Sequence, residues 1–579
     1  MDSINSFKGY GKVDPVEEEA FRKKTRKRLI ILIVSVVLLV GLIIGAVIGT
    51  VVHKKNNKSS SSSSSPSASS SVAALNAVCK ETLYPDSCYS SISALNLGNT
   101  VDPEELFRIS LRVVIDSMRS LSETIVTKTV DPDAKKAFEV CQVVLDDALD
   151  SLNDTLAAMD VNEAKGEKFL SVSKLNDLKT WLSATITDQE TCLDALNEFN
   201  ATALLGDAMD KPAQYASNSL SIVAKILGVL AKFNVPVHRR LLGIGESGGH
   251  GFPEWVSLVD RRLLQEVKPK PDVTVASDGT GDYKTIREAV ARIPKKSKTR
   301  FVIYVKAGTY LGNNILDKSM YNVMIYGDGK DKTIVSGSLN FIDGTATFST
   351  ATFAVVGKGF IAKDMAFKNT AGPEKHQAVA FRSGSDFSVF YRCSFEAFQD
   401  TLYAHSHRQF YRDCDITGTI DFIFGNAAVV FQNCNIMPRQ PMSNQFVTIT
   451  AQGKKDPNQN TGISIQKCTI SAFDEVKAPV YLGRPWKDFS TTVIMQSTIG
   501  SFLHPLGWIE WVRNVEPPST IVYAEYENTG PGATVDKRVK WSGYKVPFTA
   551  QQASKFTVES FIQGSSWLPA TDVAFDSKL

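Results

Sequence analysis

Excess charge of one sign, clustered metal ligands and abundant cysteine are what this 579-residue chain lacks. Lys and Arg number 64 against 61 Asp and Glu, a net charge of +3, so there is no broad positive field of the kind phosphate-backbone binding requires, which argues against nucleic acid. Eight cysteines in so long a chain exclude a small disulfide scaffold. His, Cys, Asp and Glu do not cluster at metal-ligand spacings. No Gly-x-Ser-x-Gly elbow accompanies Ser406 and its neighbours His405 and His407, which argues against a Ser-His-Asp hydrolase. With 43% apolar residues the composition is that of a globular protein of two or three domains.

Glycine nearly vanishes from residues 72–235, where only Gly98, Gly166, Gly206 and Gly228 occur. Apolar residues recur there at helical spacing, as in Leu106, Ile109, Val113, Ile115 and Met118, which predicts an all-α helix bundle. Its cysteines are even in number, so Cys79 with Cys88 would staple a short hairpin and Cys141 with Cys192 would tie two helices. Ahead of the bundle, residues 29–52 are an uncharged apolar run of 24, long enough to span a bilayer. The flank Arg22 to Arg28 is more basic than His53, Lys54 and Lys55, so residues 1–28 would form a cytosolic tail before a transmembrane signal anchor. A long signal peptide removed on maturation is the alternative. Residues 53–71 read as a serine-rich stalk, and sequons at Asn57, Asn153 and Asn200 suit glycosylation in the lumen.

Residues 236–268 are a glycine-rich linker in which one tetrad is written twice: Arg239, Arg240, Leu241, Leu242 and Arg261, Arg262, Leu263, Leu264. Paired arginines in an exposed linker predict cleavage by a processing protease after Leu242 or Leu264.

Residues 269–579 carry short β-branched and aromatic runs in a recurring frame. Around Cys393, Cys414, Cys434 and Cys468 the position three before holds Phe390, Tyr411, Phe431 and Ile465, and the position two after holds Phe395, Ile416, Ile436 and Ile470. Intervals of 21, 20 and 34 residues suit a parallel β-solenoid with loops of unequal length. Such a ribbon brings residues one turn apart to within about 4.8 Å between strands. Gln377 lies 22 residues before Gln399 and Asp400 lies 21 before Asp421, so two amides and two carboxylates converge on one face. Two acids that close do not ionise equally: one serves as acid and the other as nucleophile or base. Farther on, Arg484 and Trp486 in Gly483-Arg484-Pro485-Trp486 offer a fixed cation and a flat ring for a carboxylate and a sugar.

The stretches AGPEKHQAVA (371–380), QDTLY (399–403), GTIDFIFGNA (418–427) and LGRPW (482–486) resemble the signature segments of plant pectin methylesterases. The helical half resembles the pectin methylesterase inhibitor and invertase inhibitor family, so the chain resembles a pro-enzyme with an inhibitor-like pro-region. The resemblance implies a right-handed parallel β-helix that removes C6 methyl esters from homogalacturonan, giving pectate and methanol. Asp421 would be the nucleophile and Asp400 the proton donor and then the base; Gln399, with Gln377, would stabilise the oxyanion. Arg484 would hold Asp421 ionised and aimed, and Trp486 and Thr347 would contact the substrate. The family also implies a disulfide between Cys414 and Cys434, with Cys393 and Cys468 as buried thiols. No cofactor is implied. The implied partners are pectin, a subtilase-like processing protease, a proteinaceous inhibitor, and the membrane before the protein reaches the cell wall. Two rivals remain: a β-helix pectin glycosidase or lyase, and a non-catalytic inhibitor or polysaccharide-binding protein. A lyase usually wants an acidic calcium cluster, which the sequence lacks, and binding alone does not ask for paired amides and acids in successive turns.

Overall fold

The computed structural model describes residues 68–95, 100–128, 130–164, 171–227 and 269–579. The apolar run 29–52, most of the stalk with Asn57, and the linker with both Arg-Arg-Leu-Leu tetrads lie outside the described residues. Among the described residues, no helix is long and apolar enough to cross a membrane.

The helical half contains α1 (Ala68–Lys80), α2 (Pro85–Ser93), α3 (Pro103–Thr127), α4 (Pro132–Ala164), α5 (Val172–Glu198) and α6 (Thr202–Ser221). Local chemistry sets their starts. The Asp102 carboxylate accepts the Glu104 N–H at 3.0 Å, and Pro103, lacking an N–H, begins α3 where that donor would be orphaned. Ser171 caps α5 by accepting the Lys174 N–H at 3.2 Å. Phe107, Leu111, Val114 and Met118 form the buried stripe of α3. Both expected bridges are present: Cys79–Cys88 joins α1 to α2 and Cys141–Cys192 joins α4 to α5. Asn153 is exposed on α4, and Asn200 is exposed in the turn after α5.

Helix α5 departs from the pattern of a bundle helix. Thr180, Ser183, Thr187, Asp188 and Thr191, at helical spacing, are all buried although polar. Such groups are tolerated inside a protein only when they find partners. The Thr180, Thr187 and Thr191 hydroxyls donate to carbonyls one turn back in α5, and their further partners lie in the β half.

The β half is a parallel β-helix of three sheets, with ten, seven and eight strands. Every strand pairing between successive turns is parallel, and the repeating frame is the register itself: Phe390, Tyr411, Phe431 and Ile465 stand opposite one another. So do Phe395, Ile416, Ile436 and Ile470. The rings stack, with centroids 4.3 Å apart for Phe390 and Tyr411 and 4.6 Å for Tyr411 and Phe431. The residue before each cysteine (Arg392, Asp413, Asn433, Lys467) has φ between 52° and 57°, a left-handed step that turns the ribbon from one sheet into the next.

The expected Cys414–Cys434 disulfide is not formed. Cys393, Cys414, Cys434 and Cys468 are all buried free thiols. Each cysteine sits at the corner between two strands, directly after the left-handed step, and successive corners stack at the coil spacing of about 4.8 Å, wider than the Cβ separation of about 3.8 Å that a disulfide needs. The thiols instead reach back one turn: Cys414 Sγ donates to the Phe390 carbonyl at 3.4 Å, Cys434 to Tyr411 at 3.6 Å and Cys468 to Phe431 at 3.5 Å.

Candidate active site

The seven-stranded sheet carries the site. Its strands Leu402–Ala404 and Ile423–Gly425 pair with Leu402 opposite Ile423, so Asp400 and Asp421, each two residues upstream, emerge side by side. Both acids sit at left-handed backbone, φ 64° and 52°, a conformation Asp tolerates better than most residues and one that concentrates at functional positions.

Asp421 is held from three sides. Its N–H donates to Thr448 Oγ1 at 2.8 Å, and the Thr448 hydroxyl donates to Asp421 Oδ1 at 2.6 Å. Arg484 grips the carboxylate with two nitrogens: Nε lies 2.9 Å from Oδ1 and Nη2 lies 2.6 Å from Oδ2. The guanidinium is itself steadied 4.2 Å from the Trp511 ring centroid. The Asp400 carboxyl is pushed well above the usual range, first by burial and then by the neighbouring Asp421 charge, with Arg484 opposing. The pair therefore presents an arginine-clamped carboxyl beside one whose hold on a proton is strengthened.

Gln377 and Gln399 meet in a parallel bridge one turn apart. The Trp486 backbone N–H donates to the Gln452 carbonyl at 3.2 Å, and the indole lies on Gly453, where a Cβ would come within 2.9 Å of the ring. The residues singled out from sequence, Thr347, Gln377, Gln399, Asp400, Asp421, Arg484 and Trp486, all line one cavity of about 240 Å³. Sequence reading missed Tyr403 and Phe424, whose rings stack at 4.2 Å in the cavity wall, although the interval of 21 that pairs the acids pairs them too. It also missed Trp511, and Thr448, which lies 27 residues after Asp421 because a loop lengthens that turn.

The roof of the cavity belongs to the helical half: Thr191, Asp194, Ala195, Asn197 and Glu198 of α5. Here the buried polar face finds its partners. Asn426 Nδ2 donates to Thr187 Oγ1 at 2.8 Å, Gln459 Nε2 to the Ser183 carbonyl at 2.9 Å, and Asn460 Nδ2 to Thr180 Oγ1 at 2.9 Å. Thr191 Oγ1 lies 2.8 Å from His405 Nε2, an imidazole that burial holds far below its usual pKa. His405 is thus a packing residue under α5. Ser406 Oγ lies 3.1 Å from His407 Nδ1, and these two residues face a separate cavity between the halves.

An arginine-clamped aspartate beside a second aspartate of raised pKa, with two amides facing the same space, is the equipment of a carboxylic ester hydrolase built on a parallel β-helix. Residues 272–565 match the Pectinesterase family, and residues 73–222 match the plant invertase/pectin methylesterase inhibitor family. The chain is 60% identical over 592 residues to Pectinesterase 3 of Phaseolus vulgaris, covering 100% of both chains. It is 59% identical over 588 residues to Pectinesterase 1 of Arabidopsis thaliana, covering 99% of each. Among solved structures, the pectin methylesterase from carrot matches at 52% identity and a TM-score of 0.53, over 54% of this chain and 99% of the carrot chain. The chain belongs to the pectinesterase family.

Proposed function

We propose that the β half hydrolyses the C6 methyl esters of homogalacturonan through Asp421 and Asp400, with the arginine-clamped Asp421 beside Asp400, whose carboxyl burial and the Asp421 charge push upward, as the observation that supports this reading. Asp421 attacks the ester carbonyl carbon. The carbonyl electrons move onto oxygen, and the resulting oxyanion accepts N–H groups from Gln399 and Gln377. As the oxyanion collapses the C–OCH3 bond breaks, and Asp400 transfers its proton to the departing methoxide, which leaves as methanol. Asp421 is now joined to the galacturonate as an acyl-enzyme and has lost its charge. That loss removes a main cause of the raised Asp400 pKa, so the acid gives up its proton most readily at the step that uses it. The Asp400 carboxylate then takes a proton from water, which attacks the acyl carbon and releases the free galacturonate and Asp421. Trp486 and Thr347 support the sugar at the cavity wall.

The test is methanol release from methyl-esterified pectin, measured beside new reducing ends, after cleavage of the full chain in residues 236–268. Methanol without reducing ends supports the esterase, and reducing ends without methanol support a glycosidase and overturn it.

The helical half serves as a pro-region, because α5 roofs the cavity that the polymer must enter. Residues 29–52 anchor the precursor in a secretory membrane, with 1–28 in the cytosol and sugars on Asn57, Asn153 and Asn200. A subtilase-like protease cuts at the Arg-Arg-Leu-Leu tetrads and frees the enzyme to the cell wall. Replacing both Arg-Arg pairs should leave a full-length, retained and silent chain, and normal secretion of the small form from that variant would overturn the pro-region reading.

A further inference from the structure

Thr448 closes a clasp around Asp421 that Arg484 alone does not make. It lies fully buried on the strand Val447–Gln452, with Tyr481 of the next turn opposite it. Toward the preceding turn it brackets residues 419–422: its N–H donates to the Thr419 carbonyl at 3.2 Å, and its carbonyl accepts the Phe422 N–H at 3.3 Å. Between those two bonds its hydroxyl accepts the Asp421 N–H at 2.8 Å, which leaves the hydroxyl proton to point at Oδ1, 2.6 Å away. The branched Cβ restricts the rotamer, so the direction of that donation is built in. Asp400 is treated differently. Its N–H donates to a backbone carbonyl, that of Ile420 at 3.0 Å, and burial and neighbouring charges rather than hydrogen bonds act on its carboxyl.

The clasp makes the two oxygens of Asp421 unequal. A carboxylate oxygen has two lone pairs for donors. On Oδ1 both are taken, by Thr448 at 2.6 Å and by Arg484 Nε at 2.9 Å. On Oδ2 one is taken by Arg484 Nη2 at 2.6 Å, and the Nε–H reaches it only as the longer arm of a shared bond, at 3.2 Å. Oδ2 is the oxygen with room for a carbon atom.

We infer that Thr448 is a positioning residue of the second half-reaction: with Arg484 Nε it commits Oδ1, so that Oδ2 forms the acyl bond while Thr448 goes on donating to Oδ1 until the acid is released. This rests on the reading of Asp421 as the nucleophile. When water attacks, its oxygen bonds to the acyl carbon and one of its protons passes to Asp400. The bond from that carbon to Oδ2 breaks, and its electron pair returns to Asp421. The returning charge spreads over both oxygens, and the Thr448 hydroxyl meets it at Oδ1. Because the same bond also steadies the carboxylate before attack, its benefit falls on the second step and not on the first.

The experiment compares the parent with Thr448→Val, which keeps the shape and removes the hydroxyl, in the full chain cut within residues 236–268 and acting on methyl-esterified pectin. The kcat for methanol should fall by about tenfold or more, the scale of one hydrogen bond to a charged group, while kcat/KM, which reads only the steps through acylation, stays within about threefold. Methanol should then appear first as a burst equal to the enzyme present, ahead of a slow steady rate. Thr448→Ser should regain most of the lost kcat, and Thr448→Cys, a weak donor in the same place, should fall between Ser and Val. Thermal unfolding checks each fold, and if Thr448→Val does not fold the Ser and Cys variants read the same split. Equal falls in kcat and kcat/KM, an undiminished kcat, or a Thr448→Ser no better than Thr448→Val would overturn the inference. A parent that releases no methanol sinks the esterase chemistry instead, whereas methanol from the parent without the split in the variants sinks only the role of Thr448.

Discussion

In the helical half four cysteines close into two bridges, whereas in the β half four cysteines in successive turns remain thiols. Both sets number four and belong to one chain, so their place in the fold decides. Between packed helices two Cα–Cβ vectors can point at each other, whereas at stacked corners of one ribbon equivalent side chains repeat in the same direction from coil to coil. The halves differ equally in how they bury polar groups. The β-helix interior is a stack of aromatic and aliphatic side chains whose neighbours are the next turn of the same ribbon. Helix α5 buries threonines and a serine whose hydroxyl oxygens also accept hydrogen bonds from the other half, and an aspartate, Asp188, 3.9 Å from His405. One region is complete in itself, and the other carries a face that makes sense only when docked.

The sharpest way to break this comparison is to remove chemistry from the self-sufficient half. Asp421→Asn in the cleaved chain should lower methanol release by roughly 10⁴-fold, the scale seen when a nucleophile is lost. A residual rate within tenfold of the parent would put the chemistry elsewhere. Next comes the bridge between α4 and α5, which spans 51 residues. In the loop-entropy model, opening it by Cys141→Ser with Cys192→Ser costs about 4 kcal/mol. Cys414→Ala, by contrast, should cost about 1 kcal/mol, the burial of one small group. Denaturant unfolding compares the two, and equal losses would mean that the thiol ladder is a bridge after all. Gln399→Ala should reduce kcat by about 10²-fold, as expected for one oxyanion donor, with little change in KM.

The smallest effect concerns pH. Asp147 on α4 is raised to about 7, first by burial, with Arg382 and Lys318 opposing and Asp146 and Asp150 adding to the rise. An acid raised in the folded state stabilises relative to its unfolded value below about pH 4, and that contribution is lost as pH rises to about 7. Burial also raises the nearby Asp188, with the same sign, whereas His405 and His407 are lowered and oppose it below their unfolded pKa. The informative quantity is therefore the difference between Asp147→Asn and the parent. The variant should gain thermal stability over the parent, by a few degrees, between about pH 4 and about pH 7, and gain no more above. A difference independent of pH would remove Asp147 from the docked interface's electrostatics.

The repeat frame around the cysteines was legible because a solenoid converts sequence interval directly into spatial neighbourhood. The same ruler placed Asp400 beside Asp421. It failed at Thr448, where the turn lengthens. The Cys414–Cys434 bridge had another source, the family resemblance, and there both residues are free thiols. The face of α5 was illegible for a different reason. Thr180, Ser183, Thr187 and Thr191 have the composition of a solvated surface, and only the groove opposite them, far along the chain, turns that surface into an interior.

Because Asp400 and Asp421 ride on adjoining coils, the reach between them is set by the pitch of backbone hydrogen bonding rather than by the fit of any side chain. Loops such as residues 439–446 leave the coil and rejoin it with register restored at Ile423 and Thr450. Evolution can therefore rewrite the rim, and with it the polymer pattern the enzyme prefers, while the distance on which the reaction depends stays fixed.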